Sequence, residues 1–504
     1  MDEQKKDGEQ HEQDEQQVQV VKPAGKFLRL KPFAFIMIMF LTILVTAGLT
    51  IFALTFGEKK VVEVKVPVER AEFKKLYDAY DNLNSKYYVE IDQEEVIYGA
   101  INGMFDALGD PYSDYMNQEE AKSFNESLSS SFQGIGAEIQ ERNGYIMIVS
   151  PIKNTPAEKA GLQPKDMVLA VDGKSVEGLS ATEAVLLIRG EKGTNVTLKV
   201  QRGDAEPMEI TLVRADIPVE TVYGDMGEDK IAHIQLTSFS EDTTEELEKM
   251  LKEYEKQGMK GIVLDVRQNP GGYLKGAIDI SNMFVEEGKA IVQIEERNFA
   301  PQTVFADKRP KYKLPVTVLI DEGSASASEI LAAALSESAG AKIVGLKSFG
   351  KGTMQEVLYL EDGANLKFTT GKWLTPKGNW INEKGIKPDV EVKYPDYATL
   401  SYIDPKQKYE VGSENAVITS AERILEVLGY TPGTVDNVFD EETEDALKQF
   451  QEANTLEVNG ILTGETTYAL LDAIGQKLKT DDPQIVKAKE LLGVTPVEEE
   501  TTSN

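Results

Sequence analysis

The apolar positions of this chain begin as one unbroken run and then fall into helix and strand periods. Residues 1–32 are polar, rich in Gln and Glu and without apolar periodicity until Val18, which predicts a disordered tail, assigned to the cytoplasm. Residues 33–56 then run without a charge. About 20 apolar residues suffice to cross a bilayer core, so this stretch predicts one transmembrane helix acting as a signal anchor. A cleavable signal peptide is the alternative, but its apolar core is usually only about 7–15 residues. Residues 66–125 carry two stripes at amphipathic-helix spacing: Phe73, Leu76, Tyr77, Tyr80 and Leu83, then Val96, Ile97, Ala100, Ile101, Met104, Phe105 and Leu108. This N-terminal helical segment is either a dimerisation arm, which would make a homodimer, or a subdomain packed on its neighbours.

Between residues 131 and 204 the pattern shortens to strands and turns. Gly134-Ile135-Gly136 leads into a strand, Asn143-Gly144 is a hairpin turn, and 145–149 is a second strand. A helix through Ala184, Leu187 and Ile188 stops at Arg189-Gly190, and a strand at 194–200 closes the unit. The ordered run Ala160-Gly161-Leu162, Asp166, Val168 and Val171-Asp172-Gly173 resembles a PDZ domain. The resemblance implies a loop, Gln133-Gly134-Ile135-Gly136, whose backbone N–H groups receive a substrate's C-terminal carboxylate while the peptide adds a strand to the sheet edge. Ile135 would border the pocket for the last side chain; a glycine-rich hairpin without a ligand is the plain alternative. Arg189 is a regulatory candidate: it either pairs with a carboxylate of the neighbouring core or is a solvated residue at a helix end.

From 205 to 400 strands and helices alternate, which argues for an α/β core. Strands are expected at 231–236, 261–266, 316–320 and 342–346. Helices are expected through Leu247, Met250, Leu251 and Tyr254, through Ile278 and Ile280, and over 328–335. Residues 414–475 read as three helices. Leu428-Gly429-Tyr430, Phe439, Phe450-Gln451, Gly460 and Leu470 resemble the peptidoglycan-binding-like domain of cell-wall enzymes. Asn437 and Asn459 stand where that family has glycine and aspartate, so both peptidoglycan binding and a purely structural role stay open. Residues 476–504 read as an acidic, disordered tail.

Composition narrows the chemistry. The 504 residues suffice for about three domains. A net charge of −31 argues against a nucleic-acid partner, since phosphate binding needs a basic surface. Cysteine is absent, which removes thiol nucleophiles, thiolate metal sites and disulfides. The histidines are His11, in the polar tail, and His233, in a strand where it reads as a surface or cap residue. A Ser-His-Asp triad or a histidine metal site would rest on His233 alone, and neither metal nor cofactor is expected. Basic residues flank 33–56 almost equally, so they do not orient the chain.

At Gly323-Ser324-Ala325-Ser326-Ala327-Ser328 an apolar strand turns into a helix. A serine there meets unpaired N–H groups and a partial positive charge, which suit an oxyanion. Ser326-x-x-Glu329 is equally an ordinary capping box. A serine without histidine needs another base, and a lysine serves if burial keeps it neutral. Lys351 lies between Gly350 and Gly352, and one helical turn would bring the Gln355 amide to it.

These stretches, with Leu264-Asp265-Val266-Arg267-Gln268-Asn269-Pro270-Gly271-Gly272 before them and 108–116 ahead of the PDZ-like unit, resemble the carboxyl-terminal processing peptidases, or tail-specific proteases. The resemblance implies Ser326, Lys351 and Gln355 as the active centre, with Gly271 (or Gly272) and Ala327 as backbone oxyanion donors. It implies an α/β peptidase core with an inserted PDZ domain, beside the N-terminal helical segment, one transmembrane helix and a small C-terminal three-helix domain. The function implied is a serine endopeptidase, anchored in the cell membrane by a single pass, acting outside the cytoplasm on polypeptides with accessible C termini. A catalytically dead PDZ scaffold is the rival, and it would require loss of Ser326 or Lys351.

Overall fold

The computed structural model describes residues 37, 39–42, 45–46, 71–142, 144–203 and 205–493, and the chain divides into two units, residues 1–92 and 93–504. In the first, a 3-10 turn at Ala71–Phe73 leads into the helix Lys74–Lys86. That helix buries no residue, and Leu76, Tyr77 and Leu83 of its apolar stripe are exposed. The expected transmembrane helix is corrected here: among the described residues no helix is long and apolar enough to cross a membrane. Of the stretch 33–56, residues 37, 39–42 and 45–46 are described, and they are helical. The rest of 33–56, the tail 1–32, Asn143 of the predicted turn and residues 494–504 lie outside the described residues.

The second unit starts with the helix Gln93–Asp106, the short strand Asp114–Met116 and the helix Gln118–Leu128. Asn117 caps the last of these, its Oδ1 accepting from the N–H groups of Glu119 and Glu120, while Glu120 accepts from Asn117 N. The PDZ domain is then inserted through a two-stranded neck: the chain enters along Ser131–Gly134 and leaves along Ala215–Pro218, antiparallel. Between them lies a sheet whose edge strand Ala137–Arg142 pairs with Tyr145–Pro151. Its last strand, Met208–Val213, lies beyond residue 204, paired with Asn195–Gln201. Ile146, Ile148, Val168, Val196, Leu198 and Val200 fill its core.

The peptidase core is a six-stranded sheet. Ile231–Leu236, Gly261–Asp265, Val316–Ile320, Lys342–Gly345 and Val390–Glu391 run parallel, and Val222–Met226 is an antiparallel edge. Side chains alternate between the faces of a strand. Ile234, Leu264, Val318 and Ile343 meet Leu247, Ile280 and Leu331 of the helices Thr243–Lys256, Leu274–Ser281 and Ala327–Ala339 on one face. On the other, Ile231, Val263, Leu319 and Val344 meet Ala488. Ala488 belongs to the helix Pro483–Leu491, so residues 476–493 are not a tail. Asp482 caps this helix by accepting from Gln484 N and Ile485 N, and its short apolar stripe is what covers the sheet. A second, antiparallel sheet joins Ala290–Glu296, Gln302–Phe305, Thr353–Tyr359 and Asn365–Leu374 to the early strand Asp114–Met116. The helices Ala416–Val427, Glu441–Ala453 and Gly464–Thr480 enclose a core of their own with Ile418, Leu425, Phe450 and Leu470.

Candidate active site

The loops that follow Gly261–Asp265, Val316–Ile320 and Lys342–Gly345 leave the carboxyl ends of three adjacent parallel strands, where open α/β sheets place their ligands. Asn269 ties the first two loops together. Its side chain donates to Leu236 O at 2.8 Å, and its carbonyl accepts from Ala325 N at 3.0 Å and Ser328 Oγ at 2.9 Å. Ser324 is spent likewise, its hydroxyl donating to Val266 O at 2.8 Å. Both flanking serines are fully buried, whereas Ser326 reaches solvent. Ser326 sits at φ 55°, ψ −113° just ahead of the helix Ala327–Ala339, a backbone cost on the order of 1–3 kcal/mol that the surrounding contacts must hold.

Glu329 joins this turn to the lysine loop. Its carboxylate is fully buried. Oε2 accepts from Ser326 N at 2.8 Å and Lys351 N at 2.9 Å, and Oε1 accepts from Gly350 N at 2.8 Å and Ser348 Oγ at 2.5 Å. Phe349 N also donates to Ser324 O at 3.0 Å. Burial raises the Glu329 carboxyl above its ordinary value, against the hydrogen bonds that favour its charge. In the sequence Glu329 stands out only as a capping-box partner, and the Ser-x-x-Glu spacing is its one signal.

Lys351 is half-buried, and its ammonium nitrogen lies 4.9 Å from the centroid of the Tyr112 ring. Burial pulls the Lys351 pKa below its ordinary value, the Lys367 charge pulls it further, and Asp110 and Glu329 oppose. Tyr112 is held by its own turn. Asp110 accepts from Tyr112 N at 3.2 Å and Ser113 Oγ at 2.5 Å, and Ser113 Oγ accepts from Thr369 N on the strand Asn365–Leu374. In the sequence Tyr112 stands out only as part of the stretch 108–116 that carries the family resemblance, and it is brought to Lys351 across more than two hundred positions of chain.

Gln355 is placed differently from expectation. It lies in the strand Thr353–Tyr359, not on a helical turn with Lys351, and its amide nitrogen donates to Thr353 Oγ1 at 3.0 Å and Thr369 Oγ1 at 3.1 Å. No hydrogen bond joins it to Lys351 among the described residues. Gly271, at φ 104°, lies against the serine turn: a Cβ there would stand 2.9 Å from Ser326 Cβ and 3.0 Å from Ala327 N. Its own N–H donates to Asn269 Oδ1 at 2.9 Å. That leaves Gly272 N–H, with Ala327 N–H at the helix start, as the pair without an acceptor among the described residues.

His233 is neither a surface nor a cap residue. Its ring lies between Asp265 Oδ2 at 3.1 Å and Asp225 Oδ1 at 3.3 Å, so both ring nitrogens face carboxylates. Burial works against its charge, but the two carboxylates win and lift its pKa to about 9. In the PDZ domain, the side chain of Ile135 is buried in the core rather than open at a pocket, and Gly136 at φ 76° bends the loop. No acceptor for the N–H groups of Ile135 and Gly136 is found among the described residues. Arg189 pairs with Glu126 of the helix Gln118–Leu128 at 3.3 Å and lies 4.7 Å from the Phe132 ring centroid, so its carboxylate partner is not in the α/β core.

Residues 230–392 match peptidase family S41, and 147–202 match the PDZ domain family. Residues 52–120 match the N-terminal domain of the activating protease CtpB, and 414–470 a peptidoglycan binding domain. The carboxy-terminal processing protease CtpA of Bacillus subtilis (strain 168) is 44% identical over 455 residues, 90% of this chain and 97% of that protein. CtpB of the same organism is 42% identical over 412 residues, 81% of this chain and 86% of that protein. Among solved structures, the photosystem II D1 C-terminal processing protease is 28% identical, with a TM-score of 0.40 over 64% of this chain and 88% of that one. The chain belongs to peptidase family S41, as a serine-type peptidase related to the carboxy-terminal processing proteases CtpA and CtpB.

Proposed function

We propose that Ser326 is the nucleophile and Lys351 its base, in an endopeptidase that acts outside the cytoplasmic membrane on polypeptides selected by their C termini. The neutral Lys351 amine takes the Ser326 hydroxyl proton as Oγ attacks the scissile carbonyl carbon. The resulting oxyanion is met by the N–H groups of Ala327 and Gly272. The lysine then gives its proton to the departing amine, and water, deprotonated by the same lysine, releases the acyl group and regenerates Ser326. The observation that carries this reading is the buried Glu329 carboxylate, one oxygen of which holds the backbone of both Ser326 and Lys351. Selection rests on the N–H groups of the loop Gly134-Ile135-Gly136, whose charge preference suits a terminal carboxylate. The peptidoglycan-binding-like match at 414–470 supports action at the wall.

Ser326→Ala and Lys351→Ala are each expected to lower turnover of an unfolded protein substrate by on the order of 10⁴-fold. Full activity of the Lys351→Ala protein would remove lysine from the mechanism.

A further inference from the structure

The PDZ domain is gripped by the C-terminal domain at one end of its open edge. The strand Ala137–Arg142 pairs with Tyr145–Pro151 on one side, and it is the outer strand of its sheet. The loop Gly134-Ile135-Gly136 stands at its start and Arg142 at its end. The Arg142 guanidinium makes a two-pronged ion pair with Glu465, Nε donating to Oε1 at 2.9 Å and Nη2 to Oε2. It also lies 4.6 Å from the centroid of the Tyr468 ring. Glu465 and Tyr468 belong to the start of the helix Gly464–Thr480. Beside them Lys406 Nζ is 3.3 Å from Glu141 Oε2, and Glu141 Oε1 accepts from Gly144 N at 2.9 Å. A planar guanidinium that engages a carboxylate along its edge and a ring on its face has a defined orientation, unlike a single-point surface pair.

This contact lies on the path of a bound substrate, if capture proceeds as proposed above. A polypeptide whose terminal carboxylate sits in the loop at the start of Ala137–Arg142 must run upstream toward the end of that strand. The strand has 6 residues, about 20 Å at roughly 3.4 Å per residue. The substrate therefore arrives at Arg142 about six residues before its C terminus, where the strand meets the helix Gly464–Thr480. Tyr468 is only partly buried there, and Glu465 is exposed.

We propose that the C-terminal domain forms the far wall of the PDZ peptide groove, touching an extended polypeptide about six to eight residues from its C terminus. The domain thereby reads the length and upstream segment of the substrate tail. The test uses the full chain carrying Ser326→Ala, so that bound peptides are not cut. Free-acid peptides of about five and about twelve residues share the same C-terminal sequence. In the longer one a photo-cross-linker stands either second or eighth from the end. The second position is expected to label the PDZ domain, and the eighth to label residues 463–472. Adding Tyr468→Ala is expected to weaken the longer peptide by about fivefold, the equivalent of one aromatic contact, and to leave the shorter unchanged. Absence of label in residues 463–472, or equal binding of the longer peptide with and without Tyr468→Ala, overturns the proposal. If the second position also fails to label the PDZ domain, C-terminal capture itself is wrong, a different result from failure of the wall alone.

Discussion

The surroundings of Lys351 suit the base role proposed for it, because they shift it toward the neutral form. Burial and the Lys367 charge outweigh Asp110 and Glu329, so its pKa lies below the ordinary lysine value of 10.5. With the free amine as the proposed active species, kcat/KM is expected to rise as pH rises through this lowered pKa and to level off above it. Lys351→Arg keeps the charge and cannot release a proton at these pH values, so it is expected to be inactive at every pH; an active arginine variant would show that only positive charge is required. Glu329 acts one step back, as a positioning residue. Both of its oxygens accept, each from two donors. Glu329→Gln turns one oxygen into an NH₂ that faces donors, which pushes the Ser326 and Lys351 loops apart. Misplacement of about 1 Å costs on the order of 10²-fold in rate. Comparing kcat with the unfolding midpoint separates this from general destabilisation: the expectation is a fall in kcat with KM nearly kept.

The helix Pro483–Leu491 shows what a short element contributes. It covers one face of the core sheet through Ala488, and its cap residue Asp482 also pairs with Arg267 at 2.6 Å. Arg267, two residues ahead of the Asn269 that supports the serine turn, in turn engages Gln484 at 2.8 Å and the buried Asp265. Asp482→Asn retains a good N-cap but removes the charge. The expected loss is about 1–3 kcal/mol, since a largely buried guanidinium loses one of its charged partners. Chemical denaturation measures it, and an unchanged midpoint would show that Asp265 alone satisfies Arg267.

At the scale of the whole molecule, the three-helix domain has its own apolar core and a family match, so a fragment of residues 395–480 is expected to fold by itself. It should co-sediment with insoluble peptidoglycan. A folded fragment that stays in the supernatant would instead assign the domain a role within the chain, gripping the PDZ strand through Glu465 and Tyr468.

Much of the core was legible because its signals are local. Alternating apolar runs marked Ile231–Leu236 and Val316–Ile320 as strands, and helical stripes marked Thr243–Lys256 and Ala327–Ala339, since side-chain period follows directly from backbone geometry. The shortage of histidine is likewise a compositional signal: a serine nucleophile needs a base, and composition limits which residue types can supply one, which is why lysine is proposed. For the long apolar run at 33–56, hydropathy reports what a segment could bury, while a membrane span also needs a long apolar helix, and none is found among the described residues. Tertiary structure alone decided the rest. Gln355 lies on a strand because the chain beyond Gly352 joins an antiparallel sheet, and pairing with the following strand Asn365–Leu374 overrides an i, i+4 guess. Tyr112 reaches Lys351, and Glu329 gathers the backbone of Ser326 and Lys351, only when three loops converge at one end of the sheet. Such contacts leave no period in the sequence, because they are set by strand order rather than by neighbouring residues.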